Sequence, residues 1–358
     1  MSDKQTQALI HSVIQRIAVG PNRGRDISYA EAQSVMHAIL SRDVDEVQTA
    51  VILIALRMKR ESVDEMRGIL SALMQEISLV SVPVSELICL ADPFDGYQRC
   101  LPMTPFLPAV FAALGVPSCL SGVSLFGPKF GVTAEQVYRL AGISVDGPIE
   151  RSVTQLKKHG WCYLNQQHYA PRLHALQSLR NRIIKRSALT TVERVLNPLR
   201  GRKKTHMVLG YVHRAYPEIY GAVAAEAGYS SALVVKGVEG GLAPAMNKPL
   251  RQFRFDFSGQ APEMLSQTHE LPESIQGSVA AHVVDKGDKA MAEATLERGL
   301  QVLAGEHGPA RSSLILAAAQ VLWIYADANT LDSAVEKVER CLDNESALNK
   351  FNALRRSV

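Results

Sequence analysis

Hydropathy patterning changes near Val80, and that change constrains the fold more than any other feature of the chain. Before it, apolar residues recur at helical spacing. Ser28-x-x-Glu31 and Ser62-x-x-Glu65 each form a capping box, in which the serine hydroxyl and the glutamate carboxylate satisfy the first free amides of a helix. Ala32, Val35, Met36, Ile39 and Leu40 follow the first box, predicting a helix over about 28–40; Val63, Met66, Leu70 and Leu73 follow the second. Val44, Val47, Val51 and Ile54 give an intervening stripe, and Gly68 is the one weak helix former in the last of these segments. After Val80, short apolar runs alternate with helix-length segments between Gly and Pro, the pattern of an α/β domain. Thr205–Val212, Pro217–Gly228 and Ser231–Val235 read as one βαβ unit, so the sheet is expected to be largely parallel. Ser312–Tyr325 and Leu331–Leu342 are predicted helices covering it.

A chain of 358 residues can hold two such domains. Its longest apolar run, Ala50–Leu56, is too short to span a bilayer, and residues 1–16 lack the apolar stretch of a secretory signal, so a cytoplasmic protein with no membrane association is expected. Cys89, Cys100, Cys119, Cys162 and Cys341 include no C-x-x-C pair, which disfavours a disulfide framework or a zinc site. Walker A, G-x-G-x-x-G, G-x-S-x-G and H-E-x-x-H motifs are all missing. His168 and His174, six apart, would fall on different sides of a helix.

Charge is strongly segregated. Residues 151–204 carry thirteen Lys or Arg and one acid, Glu193, for a net +12, so the overall +4 leaves −8 for the remainder. Such a segment is the footprint expected of a polyanion binder, although a solvated helix face would look the same. Its candidate contacts are Lys157, Lys158, Arg172, Arg180, Arg182, Lys185, Arg186, Arg194, Arg200, Arg202, Lys203 and Lys204. A helix predicted over about 171–186 would carry Leu173, Leu176, Leu179 and Ile183 as its apolar stripe. Arg180 would lie near the stripe's centre, and Arg182, Lys185 and Arg186 opposite. An arginine so placed needs an anionic partner, either a ligand or an internal carboxylate. A second patch, Lys248, Arg251, Phe253, Arg254, Phe255 and Phe257, could stack bases, but alternating rings share one face of a strand and more simply fill a core. The connection 243–260 could be either a lid or an ordered strand pair.

The segments Ile27–Gln48 and Leu56–Gly68 closely resemble the N-terminal helical domain of the anthranilate phosphoribosyltransferases. The likeness continues through Lys129-x-Gly131-Val132-Thr133, Leu196-Asn197-Pro198-Leu199 and Gly308-Pro309-Ala310-Arg311. It implies the nucleoside phosphorylase/phosphoribosyltransferase fold: an α/β protein with a separate small helical domain. Residues 1–79 would form the helical, dimerising domain, joined by helices from about 165–195. The α/β domain would comprise 80–164 and 196–358. The family's Gly-Thr-Gly-Gly-Asp loop for phosphoribosyl pyrophosphate corresponds here to Ala91-Asp92-Pro93-Phe94-Asp95, in which Pro93 has no N–H, Phe94 adds bulk and Asp92 would confront an anion. Lys-His-Gly-Asn-Arg corresponds to Leu120-Ser121-Gly122-Val123-Ser124, and the magnesium-holding Asp-Glu pair to Ala243-Pro244. Arg180 matches the arginine that pairs with the anthranilate carboxylate. Asp95–Arg99 and Gly127–Thr133 are similar to the YbiB-like branch, in which a nucleic-acid-binding role is implied and the donor loop is lost. The resulting expectation is a homodimer without a cofactor that binds single-stranded DNA or RNA without strong sequence preference and without catalysis. The alternative is a divergent phosphoribosyl or glycosyl transferase using Asp95, Ser124, Lys129 and Arg180, with magnesium required only in that case.

Overall fold

A computed structural model describes residues 3–20, 22–259, 263–275, 288–326 and 328–356. Four helices open the chain: α1 (Asp3–Ile17), α2 (Tyr29–Leu40), α3 (Glu46–Lys59) and α4 (Val63–Gln75). Both capping boxes form as the sequence predicts, at Ser28 with Glu31 and at Ser62 with Glu65. Glu65 does more than cap. Its buried carboxylate also accepts from the Ile27 N–H at 2.9 Å and pairs with Lys59 at 2.7 Å, tying α3 and α4 to the entry of α2. Gly68 sits at the crossing of α2 and α4, where a Cβ would lie 2.3 Å from the Tyr29 carbonyl oxygen. It is therefore the residue that lets the two backbones touch, rather than a tolerated weakness.

One predicted face is corrected. In α3 the buried residues are Thr49, Ile52, Leu53 and Leu56, while Val47 and Val51 are 73% and 38% exposed. The helix carries apolar residues on two sides, and the bundle takes the one with the bulkier leucine and isoleucine side chains.

The larger domain is built on seven strands: β1 (Glu86–Ala91), β2 (Ser118–Gly122), β3 (Trp161–Asn165), β4 (Lys204–Tyr211), β5 (Ser231–Lys236), β6 (Leu250–Asp256) and β7 (Glu263–His269). Their order is β3-β2-β1-β4-β5-β6-β7, parallel from β3 to β5, with β6 and β7 antiparallel. The predicted βαβ unit is β4, the helix Tyr216–Glu226 and β5. The connection after Ala243 resolves into strand β6; Gln260 lies outside the described residues. A separate parallel pair, Val80–Ser81 with Leu199–Arg200, ties the start of the α/β domain to the C-terminal part of the basic stretch.

Alternation along the strands splits the core between the two faces. Leu90, Leu120, Val208 and Leu233 pack with the C-terminal helices Pro309–Tyr325, Leu331–Asp343 and Ser346–Arg355. Cys89, Cys119, Cys162, Leu209 and Val234 face the side on which the helical bundle and Leu173, Leu189 and Val192 pack. The three cysteines, far apart in sequence, are register partners on β1, β2 and β3, with Cys89 Sγ and Cys119 Sγ 3.6 Å apart. No helix among the described residues is long and apolar enough to cross a membrane.

The single helix predicted over 171–186 is two shorter ones, Pro171–His174 and Gln177–Ile183, the second ending at Ile184 with φ 62°. Leu176, counted in the apolar stripe, is the hinge between them.

Candidate functional site

In an open parallel sheet, the loops leaving the C-terminal strand ends form the natural binding crevice. Here the loops after β1, β4 and β5 enclose a cavity of about 150 Å³ whose walls include Arg57, Asp95, Arg99, Lys129, Arg186, Arg194, Tyr211, Tyr216 and Glu239. A second hollow of about 480 Å³ shares Arg57, His213 and Tyr216 with it and adds Arg60 and Arg214. Of the residues proposed for a small-molecule pocket, Asp95 and Lys129 do meet here. Ser124 and Arg180 are absent from the wall.

Lys129 and Arg186 inside the cavity are already matched. Asp95, 4% exposed at its side chain, pairs with Arg186 at 2.7 Å and with Lys129 at 3.6 Å. Lys129 also reaches Glu239 at 3.2 Å, and the Glu239 carboxylate accepts the backbone N–H groups of Gln98 (3.2 Å) and Arg99 (2.8 Å). Burial alone would raise the Glu239 pKa; Lys129 and the two amides outweigh it and hold the carboxyl below its ordinary range. Asp92 does not confront the cavity as its sequence position suggested. It turns inward, where the Tyr97 hydroxyl donates to it at 2.7 Å and burial pushes its carboxyl up to about 6.

Arg180 finds its anion within the chain. Its guanidinium makes two 2.7 Å bonds to Glu193, the single acid of the basic segment, and stacks over Phe126 at 4.4 Å. Both side chains are almost fully buried. Phe126 joins Phe94 and Val123 in a small apolar cluster, so the stretches matched to the Gly-Thr-Gly-Gly-Asp and Lys-His-Gly-Asn-Arg motifs meet through apolar side chains. Arg194 is buried without a carboxylate and donates instead to the carbonyls of Ala91 and Gly210, at the C-terminal ends of β1 and β4, and of Gly240 in the loop after β5. Sequence reasoning missed Glu193 and Glu239 as partners. The signal for Glu193 was present, since an arginine in an apolar stripe needs an anion and this acid was the nearest in sequence.

The +12 segment does not form one footprint. Arg172 pairs with Glu76 and Arg182 with Glu46, both acids of the helical domain. Arg200 is half-buried and donates to the Asn197, Leu199 and Ala227 carbonyls. Lys185 is exposed, near the C-terminal strand ends with Arg186. Lys157 and Lys158 immediately precede β3, and Arg202, Lys203 and Lys204 lead into β4, where Lys204 is the register partner of Glu86 at the start of β1. Those five stand exposed at the N-terminal strand ends, about 20 Å from the cavity, the length of a six-residue strand.

The second patch divides too. Phe255 is buried against Gly221 of the crossover helix, Phe257 lies 6.3 Å from Phe255, and Phe253 packs edge-on to Tyr211, so the rings belong to the core. Their neighbouring cations remain outside. Lys248 and Arg251 are exposed, with Lys236 and Arg214, beside the cavity mouth, and none of the four makes an ion pair among the described residues. Burial, then the charges of Arg251, Lys248 and Arg214, push the Lys236 ammonium below its usual range.

Residues 11–76 match the helical bundle domain of a glycosyl transferase family, and residues 102–348 match its a/b domain. The chain belongs to that glycosyl transferase family. The anthranilate phosphoribosyltransferase of Erythrobacter litoralis is 27% identical over 83% of this chain and 86% of its own length, and that of Novosphingobium aromaticivorans 26% identical over 90% and 94%. The anthranilate phosphoribosyltransferase of Saccharomyces cerevisiae, solved with PRPP and Mg, superimposes with a TM-score of 0.77 at 14% identity, covering 98% of this chain and 99% of that one. The Thermus thermophilus enzyme gives 0.71 at 16%. These superpositions establish the fold. Against that family background, Ala243 and Pro244 offer no side-chain oxygen to a magnesium ion, and the nearby carboxylates of Asp95 and Glu239 are committed to Lys129, so the residues present do not fit the metal.

Proposed function

We propose that this member of the glycosyl transferase family binds single-stranded nucleic acid along the C-terminal strand ends and has no transferase activity. The observation that carries the reading is the unpaired cationic rim of Arg60, Arg214, Lys236, Lys248 and Arg251 around the cavity mouth, with Tyr216 beside it. Phosphates are held by cations not already neutralised, and bases stack on accessible rings. The transferase function is disfavoured by the protein's own side chains. Arg180, which matches the anthranilate-pairing arginine, is saturated by Glu193, and Ala243 and Pro244 offer no side-chain oxygen to a magnesium ion.

The test is fluorescence anisotropy of nuclease-treated protein with a labelled single-stranded oligonucleotide at several salt concentrations, with duplex as competitor. Contact with about five phosphates gives a log–log salt slope near −3.5. Affinity no better than about 10⁻⁴ to 10⁻⁶ M at physiological salt, the level of generic electrostatic association, refutes the proposal.

The competing reading, a divergent phosphoribosyl or glycosyl transferase, is favoured by the position of the cavity, where this fold class takes its ligands. Heat on titration with phosphoribosyl pyrophosphate and magnesium supports it, and silence at millimolar donor removes it. The helical domain also presents Val47, Val51 and Met58 along one side of α3, at 73, 38 and 70% exposure, which supports a homodimer formed through that domain. Sedimentation of the wild type against V47K/V51K tests it: a monomeric wild type rejects the dimer.

A further inference from the structure

We infer that the Gln98 and Arg99 amides and the Lys129 ammonium form a site for a phosphate group, and that the Glu239 carboxylate occupies this site in the free protein as a displaceable stand-in. The inference rests on the nucleic-acid reading for the source of the phosphate, a strand's phosphodiester. Two consecutive backbone N–H groups converge on one carboxylate, a concave arrangement suited to anions, and a lysine completes it. The guanidinium of Arg99, 80% exposed, stands 3.9 Å from the same carboxylate, while Arg186 and Arg57 line the same cavity. A phosphodiester carries one negative charge on two free oxygens, as a carboxylate does. Exchanging one for the other therefore leaves the charge balance of the cavity unchanged.

Glu239 is also held in a conformation its residue type disfavours. Its φ is 53° and ψ 15°, the left-handed region, in a short turn between Gly237 and Gly240. Gly237 and Gly240 flank the turn and the Gly240 carbonyl stays held by Arg194, so release of the carboxylate lets the Glu239 side chain rotate toward solvent while the turn keeps its place. Through this contact the carboxylate links the loop after β5 to the loop after β1, and a bound phosphate would replace that link while Arg194 keeps the frame.

Glu239→Gly removes the stand-in and fits the left-handed backbone, so the fold is retained; Glu239→Gln keeps the acceptor shape and loses the charge. Two readouts are combined: anisotropy with a labelled oligothymidylate, and hydrogen exchange at the Gln98 and Arg99 amides. The expected result is at least threefold tighter binding by E239G, with a smaller gain for E239Q. In free E239G the two amides lose protection, and the oligonucleotide restores it. If E239G binds like the wild type and the amides stay unprotected in the complex, Glu239 is a structural strut and the inference is overturned, while the nucleic-acid reading stands. If the oligonucleotide binds neither protein, that reading fails and inorganic phosphate decides the site by itself. Protection of Gln98 and Arg99 returning in E239G with phosphate retains it; none rejects it.

Discussion

Cations held in and beside the cavity at the C-terminal end of the parallel sheet, and those exposed at its N-terminal end, are treated in opposite ways. At the C-terminal end, Lys129, Arg180 and Arg186 are each bound to a carboxylate of the same chain. At the N-terminal end, Lys157, Lys158, Arg202, Lys203 and Lys204 have no ion-pair partner among the described residues. Paired cations stabilise loops and give little attraction to a distant polyanion, whereas free ones contribute to the field but hardly to the fold. Charge counted along a sequence is therefore a poor guide to charge offered to a ligand. The rim of Arg214, Lys236, Lys248 and Arg251, outside the +12 segment, is free as well and borders a cavity, which the N-terminal cluster does not.

The sharpest way to break the comparison is to unpair a cation at the matched end. Glu193→Gln strands the buried Arg180 guanidinium and is expected to destabilise the protein by about 3–5 kcal/mol, read as a large fall in thermal midpoint. Lys203→Gln at the free end should change stability by no more than about 0.5 kcal/mol. Equal losses from the two substitutions would erase the distinction.

Asp92 supplies a test by pH. Its folded-state pKa of about 6 lies above the ordinary carboxylate value of 3.8, so the stability it contributes is complete below that ordinary value and is lost as pH rises from there through 6. The stability advantage of the wild type over Asp92→Asn should shrink across that window by up to about 3 kcal/mol. A constant difference from pH 4 to pH 7 would place Asp92 in a wetter setting than its hydrogen bond to Tyr97 implies.

The smallest effect is the one that locates binding. Charge reversal at Arg214, Lys236 and Arg251 should flatten the oligonucleotide salt slope by about 2, at about 0.7 for each lost phosphate contact. Reversal at Arg202, Lys203 and Lys204 should leave it nearly unchanged. The opposite outcome moves the binding surface to the N-terminal strand ends.

Much of the framework was legible in the sequence because local chemistry decides it. Ser28 with Glu31 and Ser62 with Glu65 start their helices where the motifs place them, and β4 and β5 lie where a crossover unit requires. Other features depend on contacts that no spacing encodes. Cys89, Cys119 and Cys162 become neighbours only through strand register, and Val47 is exposed because the bundle selects the opposite side of α3. At the candidate site, Asp95 and Lys129 were foreseen together. Glu239 was not, because its role comes from a left-handed turn that brings it to amides about 140 residues earlier, at Gln98 and Arg99.

Arg194 has a consequence for how such a scaffold changes its trade. A planar guanidinium spanning three carbonyls acts as a gauge block, fixing the gaps between Ala91, Gly210 and Gly240 whatever side chains line the loops around them. The frame of the cavity is thereby set by main chain and one arginine. Substitution can then exchange one chemistry for another on the loop surfaces while the opening beneath them keeps its dimensions.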